Sequence, residues 1–99
     1  MSFSHTSREI HISPKGILTA SCSKFDGNWV NSSINLNNYI SNEDGVLTWG
    51  GSGFADNSKD LYVEESMLKA KCQKRDGSWN DSSINLDYFI GNDNGTLEA

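Results

Sequence analysis

Two short loops, Asn42-Glu43-Asp44-Gly45 and Asn92-Asp93-Asn94-Gly95, concentrate side chains that donate and accept hydrogen bonds. Read alone they are turn chemistry, because an Asx-Gly pair is what a tight turn requires. Only their place in a larger pattern raises a binding reading above that. As calcium loops both fail, lacking alternate acidic ligands before the glycine and a glutamate beyond it. Cys22 and Cys72 have neither Cys-x-x-Cys spacing nor a neighbouring histidine, so they make no zinc site. His5 and His11 lack a Ser or Cys partner at triad spacing. Thirteen acidic residues always permit some carboxylate pair, which is no signature of glycoside hydrolysis. The residues therefore carry no signature of catalysis, and call for no metal or cofactor.

The elements that must position these loops follow from composition. Eight Lys and Arg against 13 Asp and Glu leave a net charge of −5 over 99 residues, the wrong sign for tracking a phosphate backbone. No apolar run approaches the roughly 20 residues of a membrane span. Met1–Ser13 has neither a basic start nor an apolar stretch, so the expected location is cytoplasmic, or exported without a signal peptide. On that basis the sequons at Asn31, Asn80 and Asn94 should stay unmodified. Hydrophobic residues are only 35%, whereas Ser, Asn and Gly number 15, 11 and 9. A thin core with many turns implies an all-β domain.

The chain repeats itself. Leu18–Leu47 and Leu68–Leu97 align at an offset of 50, sharing Cys22/Cys72, Asp26-Gly27/Asp76-Gly77, Trp29/Trp79 and the run S-S-I-N-L at Ser32 and Ser82. Phe3, Ser7, Ile10 and Ile12 match Phe54, Ser58, Leu61 and Val63 at an offset of 51. Each copy, 1–50 and 51–99, is too small to build a core alone, so the two must share one pseudo-twofold domain over 1–99. Leu18/Ala20/Cys22 and Leu68/Ala70/Cys72 alternate as half-buried strands, and the Asp-Gly pairs join them in hairpins to strands beginning at Asn28 and Ser78. Asn35 and Asn85 are placed to cap one short helical turn each. The two cysteines are expected as buried free thiols, because a twofold copy separates them. Trp29 and Trp79 are expected in the core, which demands a bulge in their strand because Trp29 and Ile34 have opposite parity. Trp49 should lie at the seam.

The elements L-T-A-S-C, D-G-N-W, N-S-S-I-N-L-N-N-Y-I and N-E-D-G-V-L-T-W, duplicated at this spacing, resemble the cyanovirin-N homology family of mannose-binding lectins. The resemblance covers nearly the whole chain. It implies a cyanovirin-N-like, all-β pseudo-twofold fold with triple-stranded sheets, β-hairpins and short 3-10 turns, whose repeats exchange strands into pseudo-domains 1–38 plus 90–99 and 39–89. It also implies two pockets for terminal α1→2-linked mannose of oligosaccharides or glycoproteins. By position, the first would use Ser4, His5 and Thr6, then Ser23, Lys24, Phe25 and Asp26, and finally Asn92, Asp93, Asn94 and Gly95. The second would use Asn42, Glu43, Asp44 and Gly45, then Ser52, Gly53, Asp56 and Asn57, and finally Gln73, Lys74, Arg75 and Gly77.

Some positions depart from that family pattern. Ser7 and Ser58 stand where its better-known members place cysteines bridged to the pair retained here. Phe25 replaces a small hydroxyl residue, Asn94 replaces an acidic acceptor, and Gly53 lacks the usual amide. Asp44, Asp56 and Arg75 persist, so the second pocket is expected to be the stronger. The hinge Gly50-Gly51-Ser52-Gly53 has no proline to stiffen it, which favours a monomer over a swapped dimer. The alternative is a protein-interaction module that kept this fold and lost the sugar.

Overall fold

Alternation builds the sheets. In the computed structural model, which describes residues 2–99, β2 (Ile17–Ser23) buries Leu18, Ala20 and Cys22 and β7 (Met67–Gln73) buries Leu68, Ala70 and Cys72. β2 lies between β1 (Ser7–Ile12) and β3 (Trp29–Asn35), and β7 lies between β6 (Ser58–Glu64) and β8 (Trp79–Asn85), all antiparallel. The Asp-Gly hairpins form as the sequence requires. Gly27 and Gly77 take φ of +88° and +89°, and Asp26 and Asp76 accept the amides of Asn28 and Ser78 at 2.9 Å. The Asn28 amide holds the Asp26 carboxyl below its ordinary pKa, and the Ser78 hydroxyl, then its amide, do the same at Asp76.

Two expectations about Trp29 fail together. β3 pairs with β2 in unbroken register from Ile17↔Asn35 to Ser23↔Trp29, starting at Trp29 instead of Asn28, and it carries no bulge. The irregularity sits across the sheet, between Arg8 and His11 of β1, where Glu9 takes φ +54°; Asp60 does the same in β6. Parity therefore turns Trp29 and Trp79 outward, 41% and 43% exposed. Each ring lies under a cation, with the Arg8 guanidinium at 3.9 Å and the Lys59 ammonium at 4.2 Å from its centre. A half-wet indole covered by a cation keeps its apolar area without entering the core.

After each triple-stranded sheet the chain makes a 3-10 turn, η2 (Leu36–Asn38) and η4 (Leu86–Tyr88). Asn35 and Asn85 cap them, accepting the amides of Asn37 and Asp87 at 3.0 and 3.1 Å. The turns bury Leu36 and Leu86, and Ile40 and Ile90 follow into the core. The chain then leaves its own sheet. The hairpin β4 (Ile40–Glu43)–β5 (Val46–Trp49) packs on β8, and β9 (Gly91–Asp93)–β10 (Thr96–Glu98) packs on β3. The S-S-I-N-L run supplies the clamp. Ser82 Oγ accepts the Leu47 amide, and Ser32 Oγ accepts the Leu97 amide, both at 3.0 Å.

This crossing yields an elongated all-β body of 50 × 21 × 17 Å with one continuous core. At the seam Trp49 stacks between Tyr39 and Phe89, with ring centres 5.4 and 4.5 Å away. Phe3 and Phe54, opening the 3-10 turns η1 (Phe3–Thr6) and η3 (Phe54–Asn57), are fully buried. Cys22 and Cys72 are buried free thiols, each accepting a hydrogen bond from the serine facing it across the strand pair, Ser7 or Ser58, at 3.5 Å. Burial pushes the Cys72 thiol up and so keeps it protonated.

Candidate functional site

Each Asn-rich loop forms one wall of a three-part surface. Asn42 is the lock in the second copy's end: its Nδ2 donates to the carbonyls of Gln73 at 2.9 Å and Asn57 at 3.2 Å, while its Oδ1 accepts the Gly45 amide at 2.8 Å. One amide thus joins the loop, η3 and the β7–β8 turn. Asp44 closes the outer edge, accepting the Arg75 amide at 2.9 Å. Gly45 is buried, and any side chain there would press into Lys74 Cγ at 2.8 Å and Asn80 Cβ at 3.0 Å. Only glycine, at φ +92°, lets the loop lie this close. Asn80 Nδ2 adds a bond of 2.9 Å to the Gly45 carbonyl.

The remaining residues of this surface have separate duties. Gly53 begins η3 at φ +82° and donates its amide to Asn37 O at 2.8 Å. Its carbonyl accepts the Asp56 amide at 3.1 Å, while Ser52 and the Asp56 side chain stay exposed. Gln73 Nε2 reaches Gly77 O at 3.4 Å, and Glu43 accepts the Ser41 hydroxyl at 2.9 Å, which turns Glu43 back along its own strand.

The opposite end repeats the design. Asn92 Nδ2 donates to Ser23 O at 3.0 Å, Thr6 Oγ1 at 3.0 Å and Thr6 O at 3.2 Å, and its Oδ1 accepts the Gly95 amide at 2.8 Å. Asn94 Oδ1 accepts the Phe25 amide at 2.9 Å, the counterpart of Asp44 and Arg75 without the charge. Lys24 lies beside Gly95 and forms a loose ion pair with Asp26 at 3.9 Å. His5 and Asp93 are exposed.

Ser4 is tied to the other copy. Its amide and hydroxyl both go to Asp87 of η4, at 3.0 and 2.5 Å, so Ser4 fixes η1 to the seam. Asp87 and Asn80 were not among the sequence candidates. No local signal marks Asp87, because its partner lies 83 residues away.

A groove of about 400 Å³ lies elsewhere, on the wet face of β6–β7–β8 beside Tyr62. Its lysines are already neutralised, Lys69 by Glu64 at 3.0 Å and Lys71 by Asp81 at 3.1 Å. The two loop surfaces converge backbone carbonyls, amides and carboxylates from three segments. Polar surfaces of that composition are suited to hydroxyl recognition. Among the described residues no three His, Cys, Asp or Glu side chains come together to hold a metal.

The CVNH-domain family profile matches residues 3–98. The chain belongs to the CVNH family. A cyanovirin-N homologue of Tuber borchii is 39% identical over 66 residues, which are 66% of this chain and 64% of that one. The solved T. borchii CVNH structure superposes with a TM-score of 0.90 at 34% identity, covering 99% and 98% of the two chains. Microvirin, solved as a complex with mannobiose, superposes at 0.84 with 36% identity over 98% and 96%. A MoCVNH3 variant, solved in complex with (N-GlcNAc)4, superposes at 0.88 with 27% identity over 97% and 95%. This CVNH chain therefore has the lectin fold, and two of these relatives were solved with carbohydrates bound.

Proposed function

We propose that this CVNH domain binds terminal α1→2-linked mannose of high-mannose glycans in two pseudo-equivalent, metal-independent pockets, and that it catalyses nothing. The carrying observation is the repeated amide lock: Asn42 and Asn92 each tie three chain segments together by three or four hydrogen bonds. That rigidity pre-organises the rim groups before a sugar arrives, which lowers the ordering cost of binding. Microvirin's mannobiose complex supports the choice of mannose. In this reading the pocket-bearing units are the pseudo-domains 1–38 plus 90–99 and 39–89, carried on a monomer. Single-pocket affinity is weak, since each hydroxyl exchanged from water gains only about 1 kcal/mol. Two pockets on one branched glycan supply avidity.

The Asn42 pocket is the stronger for mannose. Its acceptor Asp44 is charged where Asn94 is neutral, and Asn80 braces its loop by one more hydrogen bond. The test is an amide-shift titration with α1→2-mannobiose, with the largest changes expected at Asn42, Asp44, Asp56 and Arg75. Silence at millimolar sugar sinks the reading. Arg75→Ala is expected to abolish binding in that pocket with the melting temperature unchanged, because Asp44 is held by the Arg75 backbone amide, which alanine retains.

A further inference from the structure

The two pockets share a frame but differ in one consistent direction. Where the Asn42 pocket has Arg75, Asp44 and Asn80, the Asn92 pocket has Phe25, Asn94 and Val30. Each exchange replaces a charged or polar group by an apolar or neutral one. Phe25 is 87% exposed, and its backbone amide is pinned to Asn94 across the pocket at 2.9 Å. The turn beneath it is closed by Gly27 N donating to Lys24 O at 3.0 Å. Val30 is 39% exposed and packs against the buried Gly95, where a Cβ would meet its Cγ2 at 2.6 Å.

A solitary exposed apolar residue needs no explanation. An exposed ring on a turn whose amide is pinned to the Asn92 loop is a small apolar platform at the rim of a hydrogen-bonding site. The flat face of a pyranose is its C–H face, and covering about 40 Å² of such surface with an aromatic ring gains roughly 1 kcal/mol. A ring whose substituents are all equatorial offers that face uninterrupted, whereas the axial 2-hydroxyl of mannose breaks one side. We infer that the Asn92 pocket also takes β-linked, gluco-configured oligosaccharides, by stacking a ring on Phe25. The inference rests on reading the loops as saccharide pockets, though not on mannose as their sugar.

The test is an amide-shift titration of the full chain with N,N′-diacetylchitobiose, cellobiose and α1→2-mannobiose, in the parent and in Phe25→Ala, Phe25→Tyr and Phe25→Trp. Both gluco-configured disaccharides should shift the Phe25 ring protons and the amides of Phe25, Asn94 and Gly95. Phe25→Ala should weaken that response about three- to tenfold, with tyrosine and tryptophan restoring it. The Asp44 and Arg75 amides should respond to mannobiose identically in all four proteins. Unchanged affinity in Phe25→Ala overturns the inference, as does binding of the chitobiose without cellobiose, which would place the contact on the acetamido group. Mannobiose binding at Arg75 with no gluco response at Phe25 overturns it while leaving the lectin reading intact. A gluco response with no mannobiose binding anywhere sinks the mannose reading and upholds this one.

Discussion

Ser7 and Ser58 each stand one atom type away from a disulfide. Both hydroxyls donate to a cysteine sulfur at 3.5 Å, and both serines are registered directly opposite that cysteine, Ser7↔Cys22 and Ser58↔Cys72. Directly opposed antiparallel positions hold Cα atoms about 4.5–5.5 Å apart, within bridging range. Ser7→Cys is therefore expected to close a bridge under oxidising conditions and to stabilise the fold by about 3 kcal/mol, the value for a loop of this length. Thermal melts with and without reductant check it; an oxidised variant melting no higher than its reduced form contradicts the geometry. At this scale the sequence was informative wherever a residue's role is local. The Asp-Gly turns and Asn caps depend on neighbours two residues away, and they form as expected. The place of Trp29 is not local: β3 keeps unbroken register with β2, the irregularity lies in β1, and the covering cation Arg8 belongs to that other strand.

At the scale of elements, the informative contact is the one joining the 3-10 turns across the seam. η4 holds η1 through Asp87, which accepts the Ser4 amide and hydroxyl. η2 holds η3 through Asn37, whose Oδ1 accepts the Ala55 amide at 2.8 Å. Each pocket's 3-10 wall is thus anchored by an Asx residue of the other copy. Asp87→Ala should loosen η1, speed hydrogen exchange of the Ser4 amide, and weaken sugar binding in the Asn92 pocket alone. Asn37→Ala should do the converse. Site-resolved titration decides, and equal effects of either variant on both pockets would contradict crossed anchoring. The repeat made the existence of η1 to η4 legible, since the residues that cap and fill them recur. The anchoring was hidden, because Asp87 and Ser4 lie at opposite ends of the chain, although Asp87 is the repeat counterpart of Asn37.

At the scale of the whole molecule, the path between copies decides whether the exchanged hairpins fold back within one chain or into a second. Gly50 and Gly53 take φ of +102° and +82°, a region costly for other residues. Gly51 lies so close to Ser41 that an added Cβ would collide with its side chain. The absence of proline first suggested a merely flexible connection; the geometry shows one that glycines shape to a specific close approach. Gly51→Ala removes that approach, and the same β4–β5 and β9–β10 contacts remain satisfiable if the hinge opens and two chains exchange halves. The variant is expected to shift from monomer toward a dimer as concentration rises, measured by size exclusion with light scattering across a concentration series. Such a dimer should keep both loop surfaces, because Asn42 and Asn92 would lock the same segments donated by two chains. A variant that melts lower yet stays monomeric at every concentration would show that the Gly51–Ser41 contact supports stability without choosing between the two assemblies.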